Sequence, residues 1–96
     1  MPLVFEWEAR KAKANERKHG VSFDEASTVF DDPLASIFSD EDHSNGEQRE
    51  IIVGHSILER LLLVSFTERG TDRIRIVSAR RATRKEQNDY EEIIDN

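Results

Sequence analysis

The sequence predicts an α+β fold, with two N-terminal helices and a C-terminal helix packed on an antiparallel β-sheet. Three observations carry this reading. Helix-forming residues with cap signals fill the first third of the chain, up to Pro33. Three β-like runs then follow one another, "REIIVGHSI", "RLLLVSFTE" and "RIRIVSARR". Their connections are too short to hold a crossover helix, so these strands must run antiparallel. Last, Thr83 and Glu86 stand at capping-box spacing ahead of a narrow apolar stripe of Tyr90, Ile93 and Ile94, the pattern of an amphipathic helix. A chain of 96 residues supports one core, so residues 1–96 are expected to form a single domain.

In order along the chain, a short β-like stretch, "LVFEW", comes first. Glu8 to His19 is rich in Ala, Lys, Arg and Glu, and Gly20 stands where a helix ends in the left-handed conformation. Ser22 and Glu25 repeat the capping-box spacing, Val21 and Ala26 are placed as a hydrophobic staple, and Phe23, Ala26, Val29 and Phe30 share one face. This second helix must stop at "FDDP", because Pro33 pushes Asp32 out of helical backbone. Leu34 to Phe38 reads as the first strand of the meander. The polar "SDEDHSNGEQ" that follows contains Asn45-Gly46, a strong hairpin signal. Leu61 to Val64 is continuously apolar, as in a strand covered on both faces. The expected order is β–α–α–β–β–β–β–α.

Composition narrows the function. Apolar residues make up 36% and charged residues 35%, so the core must be small. Cysteine is absent, which excludes a disulfide framework and thiolate chemistry and favours an intracellular setting. The start of the chain has acids at Glu6 and Glu8 and no long apolar run, so neither a signal peptide nor a membrane span is expected, and the protein should be soluble and cytoplasmic. A net charge of −6 argues against polyanion binding, yet the charge is segregated. From Asp31 to Glu50, seven acids face Arg49 alone; from Arg69 to Lys85, seven bases face Asp72 alone. Most of those bases are arginine, whose planar fork pairs bidentately with phosphate.

Strand alternation in "RIRIVSAR" places Ile74, Ile76, Ser78 and Arg80 on one face and Arg73, Arg75, Val77 and Ala79 on the other. Arg80 is then expected to emerge beside the core face at a strand end. Arg81 and Arg84 lie at the turn into a helix N-terminus, whose dipole favours an anion, and phosphate is the natural candidate. The plainer alternative is that these arginines form surface ion pairs with Glu86, Asp89 or the acidic 31–50 block, each worth little. "KHG" puts Lys18 and His19 at a helix end before a flexible glycine. Histidine is the side chain that can take up or release a proton at physiological pH, so His19 suits a general acid or base, or it simply contacts the last helical carbonyls. His55 lies in a strand, and His43 is expected to be only solvated. Asp40, Glu41, Asp42 and His43 match neither an EF-hand nor a two-histidine zinc helix, so they read as an acidic loop and no metal is expected. Nucleotide-binding and hydrolase motifs are missing, and no cofactor is expected.

The ordered combination "FEW", "NERKHGVSF", "FDDP", "GEQREIIVG" and "RIRIVSARRATRKEQNDY" resembles the BrnT family of type II toxin–antitoxin systems. The resemblance spans nearly the whole chain. It implies a RelE-like fold, metal-independent cleavage of RNA through attack by the 2′-hydroxyl, inhibition of translation, and neutralisation by a BrnA-type antitoxin. Operator DNA would be reached only through the antitoxin complex. Such chemistry needs a proton acceptor, charge neutralisation at phosphorus and a proton donor. Matching to the family motif supports the positions of Lys18, His19, Arg49, Ser78, Arg80, Arg81, Glu86 and Tyr90 but not their individual duties; the chemistry suggests Arg80 and Arg81 for the phosphate, Arg49 for a further phosphate or base contact, and His19 or Lys18 for proton transfer. Ser78, Glu86 and Tyr90 are supporting residues, and Arg73, Arg75, Arg84 and Lys85 are expected to contact RNA. A non-catalytic binding protein that keeps the fold and the antitoxin interface is the alternative, motivated by the acidic balance. An acidic antitoxin segment would seek the basic face, while the sheet edge at Leu34–Phe38 offers a second surface.

Overall fold

Helix cap chemistry sets the first half of the chain. A computed structural model describes residues 2–43 and 46–95, without the side chain of His43. The turn signal at Asn45 therefore falls outside the described residues. Strand β1 (Val4–Glu6) leads into helix α1 (Ala9–His19). That helix ends at Gly20 with φ of 70°, whose N–H donates to the Glu16 carbonyl, the left-handed stop that glycine adopts without a Cβ penalty. Ser22 then caps α2 (Phe23–Ser27) by accepting from the Glu25 N–H at 3.0 Å. The chain tightens into a 3₁₀ turn at Thr28–Asp31, and Asp32 is extended before Pro33, as the steric effect of proline requires.

Four further strands and a helix follow: β2 (Ser36–Ser39), β3 (Glu50–His55), β4 (Leu61–Glu68), β5 (Arg73–Arg81) and α3 (Arg84–Asp95). The element order is the one the sequence predicts. The sheet order is β1-β5-β4-β3-β2, and β2 to β5 form an antiparallel meander. The sheet as a whole is mixed rather than antiparallel, because β1 pairs parallel with β5 from Val4↔Arg73 to Glu6↔Arg75. The two helices between β1 and the meander supply the long connection that parallel pairing needs. Strand β1 takes the outer edge of β5, and the outer edge of β2 stays open.

A second departure changes which way the arginines face. Ser65 pairs with Ser78, but the next residue, Phe66, pairs with Ile76, so Val77 is an extra residue with no partner on β4. A bulge of this kind reverses the alternation beyond it. Ile74 and Ile76 share the core face with Ala79 and Arg81, and Ala79 is buried. Arg80 therefore lies on the opposite face with Leu63, not beside the core as simple alternation predicts.

The main core lies between α1–α2 and one sheet face. Val21, Phe23, Ala26 and Val29 pack on Ile52, Leu62, Val64, Phe66, Ile74, Ile76 and Ala79. Phe30 bridges Phe5 and Phe66 at centroid separations of 5.1 and 5.0 Å, near the favoured range for tilted and edge-on rings. Gly54 admits the turn before β2: a Cβ there would come within 2.8 Å of the Ala35 Cβ. Helix α3 crosses the other face, where buried Tyr90 donates its O–H to the Leu34 carbonyl at 2.9 Å. No helix among the described residues is long and apolar enough to cross a membrane.

Candidate nucleic-acid interface

Backbone geometry gathers cations at one end of the sheet. Strand β1 covers the outer edge of β5 only as far as Arg75. Beyond it, the side-chain amide of Asn15 continues the ladder. Its Nδ2 donates to the Ala79 carbonyl at 2.8 Å, and its Oδ1 accepts from the Ala79 N–H at 3.1 Å. The same Nδ2 donates to the Val21 carbonyl at 3.0 Å. Asn15 is buried, so these bonds satisfy backbone groups that water does not reach. One side chain thereby ties the end of α1, carrying Lys18 and His19, to the end of β5, carrying Arg81.

A second tie comes from Arg60, at the start of β4. Its guanidinium donates to the Gly20 carbonyl at 3.1 Å and pairs with both carboxylate oxygens of Glu25. The Ser56 hydroxyl donates to the same carboxylate at 2.7 Å. The Arg60 hydrogen bond foremost, with help from Ser56, holds the Glu25 carboxyl below its usual range despite burial, and the charge of Arg81 lowers it further. Ser22 and Glu25 thus form half of the expected capping box: Ser22 caps, while Glu25 turns inward to bind Arg60.

The complete box forms at α3. Glu86 Oε1 accepts from the Thr83 N–H at 2.8 Å, and Thr83 Oγ1 accepts from the Glu86 N–H. Both Glu86 oxygens also accept from Arg80, at 2.8 and 2.9 Å. The Arg80 bonds hold the Glu86 carboxyl down at about 2. The anion expected at this helix N-terminus is therefore the protein's own carboxylate, and Arg80 is its bidentate partner.

The remaining cations divide. Arg73 and Arg75 both pair with Glu6, at 3.5 and 2.8 Å, and Lys85 pairs with Asp89 at 3.2 Å. Arg81 and Arg84 form no ion pair among the described residues, and both are exposed. The structure thus brings Lys18, His19, Arg80, Arg81, Arg84 and Lys85 to one end of the sheet, with Arg80 on the α3 face and Arg81 on the α1 face. Arg49 is not among them. It precedes β3, and the register places it in a transverse row with Thr67, Arg75 and Glu6, about 15 Å from the strand end at a rise of ~3.3 Å per residue. Thr67 is fully buried, and its Oγ1 has no hydrogen-bond partner among the described residues. Ser78 lies beside Ser65 in the bulge, and Tyr90 packs edge-on against His55 at 5.8 Å. Sequence reasoning missed Asn15 and Arg60 as organisers of this end. A buried asparagine one turn before "KHG" leaves no periodic signal.

This α+β chain with its mixed five-stranded sheet matches a solved fold. The crystal structure of the Brucella abortus ribonuclease toxin, BrnT, superposes with a TM-score of 0.65 at 21% sequence identity, covering 88% of this chain and 99% of that one. No curated protein sequence matches the chain. The family model for the ribonuclease toxin BrnT of type II toxin–antitoxin systems matches residues 7–86, and the chain belongs to that family.

Proposed function

We propose that this toxin is a metal-independent endoribonuclease whose reaction centre lies at the sheet end formed by α1, β5 and the start of α3. The observation that carries the proposal is the pair of exposed arginines with no ion pair among the described residues, Arg81 and Arg84, at the same sheet end as Lys18 and His19. The other arginines of the segment have carboxylate partners: Arg69 pairs with Glu47, Arg73 and Arg75 share Glu6, and Arg80 pairs with Glu86. Phosphate binding by Arg81 and Arg84 displaces no internal ion pair, and binding by Arg80 must compete with Glu86.

The proposed step is attack of a ribose 2′-hydroxyl on the adjacent phosphorus. The new bond joins the 2′-oxygen to phosphorus, and the bond from phosphorus to the 5′-oxygen of the next nucleotide breaks. His19, with Lys18 beside it, accepts the 2′ proton and returns a proton to the departing 5′-oxygen, a role worth ~10²–10⁴ in rate. Arg81 and Arg80, one from each face of the strand end, stabilise the charge that grows on the non-bridging oxygens. Arg49, Arg73 and Arg75 extend the positive surface toward neighbouring phosphates, and Ser78, Glu86 and Tyr90 support the strand end. A BrnA-type antitoxin is the proposed partner, through which operator DNA is reached.

The products test this directly. Cleavage by the proposed route leaves a 2′,3′-cyclic phosphate and a 5′-hydroxyl, which end-specific labelling detects. A 5′-phosphate would show that water, not the 2′-hydroxyl, is the nucleophile. Binding of antitoxin with no cleavage of any RNA would make the chain a non-catalytic binding protein, the reading its net charge of −6 favours.

A further inference from the structure

Edge strand β2 presents apolar side chains on both of its faces. It has one neighbour, β3. Ile37 stands on the α1 face and Phe38 on the α3 face, and both are about half exposed. Leu34 just before the strand and Ile93 and Ile94 on the last turn of α3 are exposed as well. Between the strand and the helix runs a groove of about 250 Å³ lined by Phe38, Ile51, Val53, Leu63, Tyr90 and Ile93, with the carboxylates Glu86 and Asp89 also on its wall. Natural edge strands usually carry charge, proline or a covering element; this one carries Ile37-Phe38.

Main-chain geometry shows where pairing groups point. The Asp40 N–H donates to the Arg49 carbonyl at 2.8 Å, making Asp40 and Arg49 a hydrogen-bonded pair. In an antiparallel ladder such pairs alternate, so Phe38–Ile51 and Ser36–Val53 are bonded and the N–H and C=O groups of Ile37 and Ser39 point away from the sheet. The surroundings are acidic. Asp31 and Asp32 precede the strand and Asp40, Glu41 and Asp42 follow it, in a block that holds Arg49 as its one cation. An RNA strand is repelled here, whereas a basic peptide is attracted.

We infer that the β2 edge is the docking surface for the antitoxin, occupied by an extended segment that pairs with Ile37 and Ser39, places apolar side chains against Ile37 and into the Phe38–Ile93 groove, and carries lysine or arginine at its ends. The inference rests on the toxin–antitoxin reading. It places the antitoxin's anchor on the β2 edge, and the groove meets the cation cluster only through Glu86 and Asp89, the partners of Arg80 and Lys85, so an acidic segment seeking that cluster is not what holds the complex together. Strand addition supplies affinity through main-chain bonds, and the alternate pockets supply specificity.

The test uses a BrnA-type antitoxin, purified separately. Amide hydrogen exchange is followed at Ile37 and Ser39 in the free toxin and in the complex, alongside the affinities of Ile37→Lys, Phe38→Lys and Arg81→Ala. The expected result is at least ~100-fold slower exchange at both amides on binding and at least ~100-fold weaker binding by the two lysine variants, which still cleave RNA when free. Affinity falls as salt rises, since opposite charges meet. Unchanged exchange at Ile37 and Ser39, or native affinity in the lysine variants with loss in Arg81→Ala, overturns the inference and moves the partner to the cation cluster. If the native chain forms no complex at all, the toxin–antitoxin reading itself fails.

Discussion

Replacing Asn15 by leucine, which has nearly the same shape and no hydrogen-bonding groups, should be among the most damaging single changes in the molecule. It strands three backbone groups: the N–H and C=O of Ala79 and the C=O of Val21. A buried group left without a partner costs ~1–3 kcal/mol. Even at the low end the sum is ~3 kcal/mol, a large share of a small domain's stability. For a chain of 96 residues each kcal/mol moves Tm by ~4–8 °C, so a fall of ~12–24 °C is expected. Differential scanning calorimetry measures this. Asn15→Asp is the companion variant: it keeps the acceptor for the Ala79 N–H but turns a carboxylate toward two carbonyls, and should be at least as unstable. Below Tm, loss of the tie also frees the Lys18–His19 helix end from β5, so RNA cleavage should drop further than the folded fraction does. A Tm within ~4 °C of native in Asn15→Leu, with the Ala79 amide still protected from exchange, would refute the claim that this side chain completes the sheet.

Arg60→Met leaves the buried Glu25 carboxylate without its main partner, and chemical denaturation should show a loss of ~2–3 kcal/mol, below the ~3–5 kcal/mol of fully buried pairs because Arg60 is itself partly exposed. Pairing it with Glu25→Leu should restore part of that loss. Gly54→Ala drives a Cβ to within 2.8 Å of the Ala35 Cβ and 3.1 Å of Val29 Cγ1, and should destabilise by ~1–3 kcal/mol by overpacking. Acid should weaken the fold: Glu86 lies lower folded than its ordinary 4.5, at about 2, so its stabilisation is full above ~4.5 and is lost as pH falls toward 2. Half-exposure of the Arg80 pair limits that contribution to ~1 kcal/mol. Glu25 and Asp32 act in the same direction, while Glu50, raised by burial and by Glu68, opposes them. Glu86→Gln should flatten the pH dependence of Tm between 2 and 4.5.

Local signals in the chain foretold most of the fold. Gly20, Ser22, Pro33 and the Thr83/Glu86 box each act within one turn of themselves, and the structure shows each boundary where they place it. Two features escaped because they depend on residues far apart. Strand β1 pairs with β5 across some seventy positions, and three residues of "VFE" carry no sign of a partner. The bulge at Val77 is invisible to a period-two rule, which for that reason put Arg80 on the wrong face. At the candidate site, composition flagged the arginines, and their carboxylate partners Glu47, Glu6 and Glu86 divide them into those with an ion pair and those with none among the described residues. Such a division needs distances. Asn15 and Glu25 look like ordinary helix-surface residues, and only the packed structure turns them inward.

Cleavage of a labelled RNA in excess chelator, with Arg81→Ala purified and assayed beside the native chain, is the most direct test of the proposed reaction centre. The native chain should cut without divalent metal. Arg81→Ala, with the same circular dichroism and a similar Tm, should cut at least ~100-fold more slowly, the scale set by loss of one charge-stabilising donor. Cleavage that vanishes in chelator and returns with added magnesium, or an Arg81→Ala variant as active as native, would contradict a metal-independent centre at the sheet end.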